Sequence, residues 1–251
     1  MTISSKKISL WIEVERCNSP FSKPYFQSVL YETENQNATI ATALSDINEN
    51  SYVDKDGEKV LPIEWQCSCL QKKCGACAMV INGVPRLACD AFLHKFKKKV
   101  TLSPLHKFPM IKDLAVDRNI LFDNLKAMNL WVENDAYIEQ NNRDLVYESS
   151  KCLQCGCCLE VCPNFNCEDI FFGASAFVSA TGILASTPKN EREDILEKYE
   201  KHVYAGCGKS LSCKDICPVG IDTERMLIHS NKISMWKIKR SKGKSDDKTS
   251  K

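Results

Sequence analysis

The chain has 251 residues, 43% of them hydrophobic, with 34 Lys and Arg against 32 Asp and Glu. That length holds one large or two ordinary domains, and that apolar content fills real cores, so a globular protein is expected. The near-balance of charge excludes the basic character of a nucleic-acid-binding protein, and no nucleic acid is expected among its partners.

The 15 cysteines say more, because they exceed ordinary usage several-fold and are clustered. Disulfide scaffolds are typically short secreted chains. This chain is long, opens on MTISSKKISLWIEVER without an apolar signal region, and groups its cysteines in C-x2-C spacing. Metal ligation in a reducing compartment is the expectation.

Residues 1–105 are predicted to form a mainly β domain of the α+β class. KISLWIEVER (7–16) and SVLYETE (28–34) have strand character, ATIATALSDINEN (38–50) has helical spacing, and AMVINGVPRLAC (78–89) carries the hairpin signal Asn82-Gly83 between apolar strands. Strands with one crossing helix suggest an α+β roll. Within CSCLQKKCGACAMVINGVPRLAC (67–89), Cys69, Cys74 and Cys77 have C-x4-C-x2-C spacing, and Cys89 follows across the hairpin. This is the plant-type pattern that holds a 2Fe–2S cluster. Zinc ribbons usually repeat C-x2-C instead. Gly75 and Ala76 carry little side-chain bulk, so the backbone is expected to fold closely there and aim N–H groups at the sulfurs. Cys67 is read as an ordinary thiol.

Residues 106–238 are predicted to be helical, since LAVDRNILFDNLKAMNLWV (114–132), EREDILEKYEKHVY (191–204) and TERMLIHSNKISMWKIK (223–239) all have helical periodicity. The long uncharged run at 170–188 is punctuated by Gly, Ser, Thr and Pro. It reads as buried helix and turn rather than a membrane span, and the chain is expected to be soluble by itself. The polar tail 239–251 is predicted to be disordered. Its basic residues, with Lys237, suit either a solvated tail or contact with anionic lipid.

Two ferredoxin runs lie in this half. Cys152, Cys155, Cys158 and Cys162, followed by Pro163, keep the full C-x2-C-x2-C-x3-C-P register. Cys207, Cys213 and Cys217, followed by Pro218, keep the same register with Ser210 in the second cysteine's place. In two-cluster ferredoxins the fourth cysteine of each run ligates the other cluster. Cys152, Cys155, Cys158 and Cys217 therefore fall to a 4Fe–4S cluster, and Cys162, Cys207 and Cys213 to a second one short of a thiolate. Three thiolates suit a 3Fe–4S cluster; a serine oxygen at Ser210, or Cys167, is the other route to a fourth iron. Cys17, Cys67, Cys157 and Cys167 are left over, with Cys157 placed to tune a cluster by packing or S–H contact.

A plant-type 2Fe–2S domain before a helical domain with one complete and one serine-interrupted run resembles the iron–sulfur subunit of succinate dehydrogenase and fumarate reductase. CGACAMVINGVPRLAC, PLHKFPMIKDLAVDR, SSKCLQCGCCLEVCPNFN and AGCGKSLSCKDICPVGI stand in that family's order. The resemblance implies a β-grasp 2Fe–2S domain and an all-α two-cluster domain. It also implies a subunit that relays electrons between the FAD of a flavoprotein partner, where succinate and fumarate interconvert, and the haem or quinone of a membrane anchor. Such a subunit sits peripherally on the cytoplasmic face of the cell membrane, in the tricarboxylic acid cycle or anaerobic respiration. Asn166, Cys167 and Gly208 stand where ubiquinone-linked members carry an aromatic pair and a histidine, which turns the resemblance toward the branch with a dihaem cytochrome b anchor and menaquinone. The alternative is the iron–sulfur subunit of a soluble fumarate reductase or another flavoprotein reductase. No catalytic residue is expected on this chain: it has no G-x-G-x-x-G, and His94, His106, His202 and His229 are not grouped with carboxylates.

Overall fold

Alternation places Leu10, Ile12 and Val14 on one buried face of β1 (Ile8–Arg16), while Trp11 on the other face stays 39% exposed. In the computed structural model, which describes residues 7–132 and 134–245 and side chains to residue 235, β1 pairs antiparallel with β2 (Tyr25–Thr33) and parallel with β5 (Lys99–Ser103). β3 (Ala78–Ile81) pairs antiparallel with both β4 (Val84–Leu87) and β5, giving a five-stranded sheet of order β2-β1-β5-β3-β4. Asn82 and Gly83 both take positive φ, +51° and +76°, as the expected two-residue hairpin turn requires. The crossing helix α1 (Ile40–Glu49) starts with a reciprocal capping box, Thr42 N–H to Thr39 Oγ1 and Thr39 N–H to Thr42 Oγ1, both 3.2 Å. It buries Ile40, Ala43, Leu44 and Ile47. This is the β-grasp arrangement expected for the first half.

A second, small sheet was not foreseen. β6 (Met110–Lys112) and β7 (Ala115–Val116) pair antiparallel around Asp113, so the helical segment predicted from Leu114 starts only at α2 (Asn119–Ala127). Strands of three and two residues are too short to show a period of two, and the apolar run LAV fits either reading.

The helical half contains α3 (Arg143–Ser150), the single turn α4 (Cys157–Glu160), α5 (Gly173–Ser186), α6 (Glu193–Tyr199), a π turn at Glu200–Tyr204, and α7 (Thr223–Ser245). α5 is the buried helix expected at 170–188, with Phe177, Val178 and Leu184 in the core. Small residues let its neighbours approach: a Cβ at Gly182 would collide with Ser149 Oγ, and Thr181 Oγ1 bonds Phe177 O at 2.7 Å and Ser230 Oγ at 2.6 Å. The backbone of α7 runs on to Ser245, beyond the predicted start of the disordered tail at 239. The lysines and arginine there are straight-chain residues that tolerate helix well. The rest of that tail, 246–251, lies outside the described residues.

The described chain forms two units, 7–118 with 153–160, and 119–152 with 161–245. The sequence boundary at 105/106 stands as a proposal about modules; in space the first unit also contains β6, β7 and the 153–160 segment. No helix among the described residues is long and apolar enough to cross a membrane.

Candidate metal centres

The loop from Cys69 to Cys77 coils because Leu70, Lys72 and Gly75 take positive φ of 53°, 59° and 75°. This turns successive N–H groups inward onto sulfur. Cys69 Sγ accepts from Gln71 N at 3.3 Å and Lys73 N at 3.4 Å, and Cys74 Sγ from Cys69 N and Ala76 N, each at 3.5 Å. Cys89 Sγ accepts from Lys72 N at 3.3 Å. All four expected ligands thus belong to one loop and the 3₁₀ turn after β4. The N–H of Ala76 is aimed at sulfur as expected, but most donors come from residues 71–73, whose side chains give no hint of it.

The electrostatics follow the geometry. N–H donation from Gln71 and Lys73 draws the Cys69 thiol down to about 7, whereas burial pushes Cys77 up to about 12. Thiols surrounded by inward N–H dipoles are the donor set that an iron–sulfur cluster requires, because the same dipoles stabilise the negative charge of bridging and terminal sulfur. Among the described residues no three His, Cys, Asp or Glu side chains converge on a single-ion site. In a 2Fe–2S cluster the four thiolates divide between two irons, two on each, so convergence of three on one point is not needed.

Of the second set, Cys155 and Cys158 lie in the first unit, and Cys152 and Cys217 in the second. Hydrogen bonding from Cys157, and then the charge of Arg118, hold Cys155 down at about 7 against burial. Cys157 is fully buried next to Cys155; that it tunes a cluster by packing or S–H contact stays a proposal. The turn is close-packed: a Cβ on Gly156 (φ +88°) would lie 2.9 Å from the Phe108 ring.

Cys162, Cys207 and Cys213 belong to the second unit, where Cys213 is raised by burial and by the charges of Cys162 and Cys207. The three are therefore electrostatic neighbours. Ser210 is exposed, and its Oγ accepts from Ser212 Oγ at 3.2 Å, flanked by Lys209 and Leu211 at φ +55°. Of the remaining cysteines, Cys17 is buried with its thiol donating to Ser19 O and Ser22 O, Cys67 is exposed, and Cys167 is half-buried.

Sequence reasoning missed Arg118. Its guanidinium donates from Nη1 to Gly75 O (2.9 Å) and Cys155 O (3.2 Å), and from Nη2 to Ala76 O (2.6 Å) and Gln66 Oε1 (2.8 Å). Three of the four acceptors are main-chain carbonyls from distant segments, which no local pattern announces.

Two family models cover most of the chain: a 2Fe-2S iron-sulfur cluster binding domain over residues 11–123 and a 4Fe-4S dicluster domain over 148–221. The chain is 36% identical over 196 residues to the succinate dehydrogenase iron-sulfur subunit of Bacillus subtilis, covering 74% of this chain and 77% of that one. It is 31% identical over 227 residues to the fumarate reductase iron-sulfur subunit of Wolinella succinogenes, covering 84% and 90%. It is also 30% identical over 162 residues to a fumarate reductase (CoM/CoB) chain of Methanothermobacter marburgensis, covering 62% of this chain and 32% of that one. Among solved structures, a chain of the Mycobacterium smegmatis Sdh1 complex in the apo form shares the fold, with TM-score 0.73 and 17% identity over 93% of this chain and 98% of that one.

Proposed function

The chain belongs to the family of iron–sulfur subunits of succinate dehydrogenase and fumarate reductase, and we propose that it is the electron-transfer subunit of a membrane-bound succinate:quinone oxidoreductase. Cys69, Cys74, Cys77 and Cys89 hold the 2Fe–2S cluster; Cys152, Cys155, Cys158 and Cys217 the 4Fe–4S cluster; Cys162, Cys207 and Cys213 a 3Fe–4S cluster. When bound, these groups supply one-electron sites between the FAD of a flavoprotein subunit and the haem or menaquinone of a dihaem cytochrome b anchor on the cytoplasmic face of the membrane.

The observation that carries this reading is the ring of N–H donors from Cys69, Gln71, Lys72, Lys73 and Ala76 onto Cys69, Cys74 and Cys89. The protein's part is to fix the thiols, exclude bulk from the loops and stabilise negative sulfur. Support for the quinone end comes from a cavity of about 590 Å³ beside the 207–213 loop, lined by Tyr204, Leu211, Leu227, Ile228 and Met235 together with Lys209, Glu224, Asn231 and Lys232. Its size and its mix of apolar and polar side chains suit a quinone, which has an isoprenoid tail and a polar head, or an anchor segment.

One observation favours a second reading, a soluble fumarate reductase with another electron donor: the likeness to the CoM/CoB-named fumarate reductase chain. Affinity purification of the chain from its native cell separates the two. Recovery from solubilised membranes with a flavoprotein, a haem-bearing anchor and succinate-dependent reduction of a menaquinone analogue is expected. Recovery from the soluble fraction without an anchor overturns the membrane complex.

A further inference from the structure

Within the first unit the two cluster-binding loops touch. A Cβ on Gly75 would lie 2.8 Å from Cys155 Cβ and 2.9 Å from Leu153 O, so only a glycine lets the 74–77 loop rest on the 153–155 stretch of chain. The half-buried Arg118 closes the same junction with its four hydrogen bonds, two to the main chain of Gly75 and Ala76 and one to that of Cys155. The fourth goes to Gln66, which is itself fastened by its Nε2 to Val116 O at 3.0 Å. All four acceptors are neutral carbonyls. Among the charges that act on the guanidinium are those of four sulfurs, Cys155, Cys157, Cys77 and Cys74, when they are thiolates. Three of these are proposed ligands, one of the 4Fe–4S set and two of the 2Fe–2S set. A single permanent cation thus has the ligand spheres of two centres as its counter-charges.

We propose that Arg118 is a positioning residue for electron passage between the 2Fe–2S and 4Fe–4S centres: its planar fork clamps the two loops at a fixed approach, and its charge, shared by both, raises the reduction potential of each. Rigid placement matters because the two loops move only together with the fork. The charge matters because an added electron makes either centre more negative, and a cation a few ångströms away in a medium of low dielectric favours that state. The exchange served moves one electron, breaks no bond and moves no proton. The proposal rests on the cluster assignment under Proposed function.

The test is an EPR-monitored redox titration of the intact complex carrying Arg118→Gln or Arg118→Lys. Arg118→Gln removes the charge, and the midpoints of both the 2Fe–2S and the 4Fe–4S centre are expected to fall. At a fixed ambient potential the reduced:oxidised ratio of each should drop by at least about tenfold, which is about 59 mV for one electron. The 3Fe–4S midpoint serves as the internal reference. Arg118→Lys keeps the charge but loses the fork: its midpoints should stay within about threefold in that ratio, while amide hydrogen exchange at 76–78 and 155–157 accelerates. Unchanged midpoints in Arg118→Gln with both signals at full intensity, or a shift at one centre alone, overturn the proposal. If Arg118→Gln fails to assemble, Arg118→Lys decides: both signals at near wild-type midpoints with faster exchange uphold it, and fallen midpoints or unchanged exchange overturn it. Absence of both signals from the wild type overturns the cluster assignment instead.

Discussion

Arg16 and Asp113 form a buried ion pair, Nε to Oδ1 at 3.0 Å, with side chains only 3% and 0% exposed. Asp113 Oδ1 also accepts from Cys17 N, and Oδ2 from Glu64 N, each at 3.0 Å. Arg16 reaches Gln27 Oε1, Leu61 O and Pro62 O. The pair therefore ties the end of β1 to the turn between β6 and β7 and to the 61–64 segment that leads into the first cysteine loop. Removing one partner leaves the other charge buried and unpaired, so Asp113→Ala is expected to destabilise the chain by about 3–5 kcal/mol. Denaturant midpoints of wild type and variant measure this; a loss below about 1 kcal/mol contradicts it.

Contrary to the expectation that no histidine is grouped with carboxylates, His106 sits between Glu15, at 3.1 Å from its Nε2, and Glu160, whose Oε1 is 3.8 Å from its Nδ1, residues far apart in sequence that only folding brings together. Hydrogen bonding to Glu160 raises its pKa above the ordinary 6.5; burial opposes the rise and Glu15 adds to it. A raised folded-state pKa means that the stabilisation is complete below 6.5 and is lost as pH climbs through the higher folded value. Melting temperatures of wild type should therefore fall relative to His106→Gln as pH rises from about 6 to about 8. Parallel curves for the two proteins would show that the imidazole gains nothing from its carboxylates.

Gly75 and Gly83 share nearly the same backbone conformation, φ +75° and +76°, but not the same surroundings: a Cβ at Gly83 meets nothing within 4 Å. Gly83→Ala is expected to cost about 1 kcal/mol, the conformational term alone. Gly75→Ala adds the collision with Cys155 Cβ and Leu153 O, and should cost several kcal/mol and lower the yield of iron-loaded protein. Equal effects of the two substitutions contradict the contact between the loops.

The contrast between these two glycines also marks how far the sequence alone reaches. Asn82-Gly83 was legible because a hairpin turn is a local device, β1 and α1 because their periodicity spans many residues, and the buried α5 because its run is long, uncharged and punctuated by small residues. The 2Fe–2S and 4Fe–4S domain types were legible because cysteine spacing along the chain is itself the signal. The β6–β7 hairpin was not, being too short to alternate. Arg118 was not, because its partners are carbonyls brought together by tertiary folding. The insertion of 153–160 into the first unit was hidden for the same reason: contact between Gly75 and Cys155 is a long-range fact, and no pattern on either side encodes it.

Ser210→Cys restores the full register of the second run. Among the described residues the exposed Ser210 hydroxyl bonds within its own loop to Ser212, so the exchange costs little packing. The variant is expected to convert part or all of the third centre to 4Fe–4S and lower its potential, slowing quinone-linked turnover while succinate-dependent dye reduction at the flavin end survives. Unchanged quinone activity with an unconverted centre would show that the serine does not define the cluster.

The most direct test of the account is EPR spectroscopy of the purified, air-oxidised complex, paired with iron and acid-labile sulfide analysis of the same sample. The proposed assignment gives one 2Fe–2S, one 4Fe–4S and one 3Fe–4S cluster, so the oxidised protein should show the 3Fe–4S signal, and two further signals should appear on stepwise reduction. Zinc in place of iron, or an oxidised sample without the 3Fe–4S signal, would contradict it.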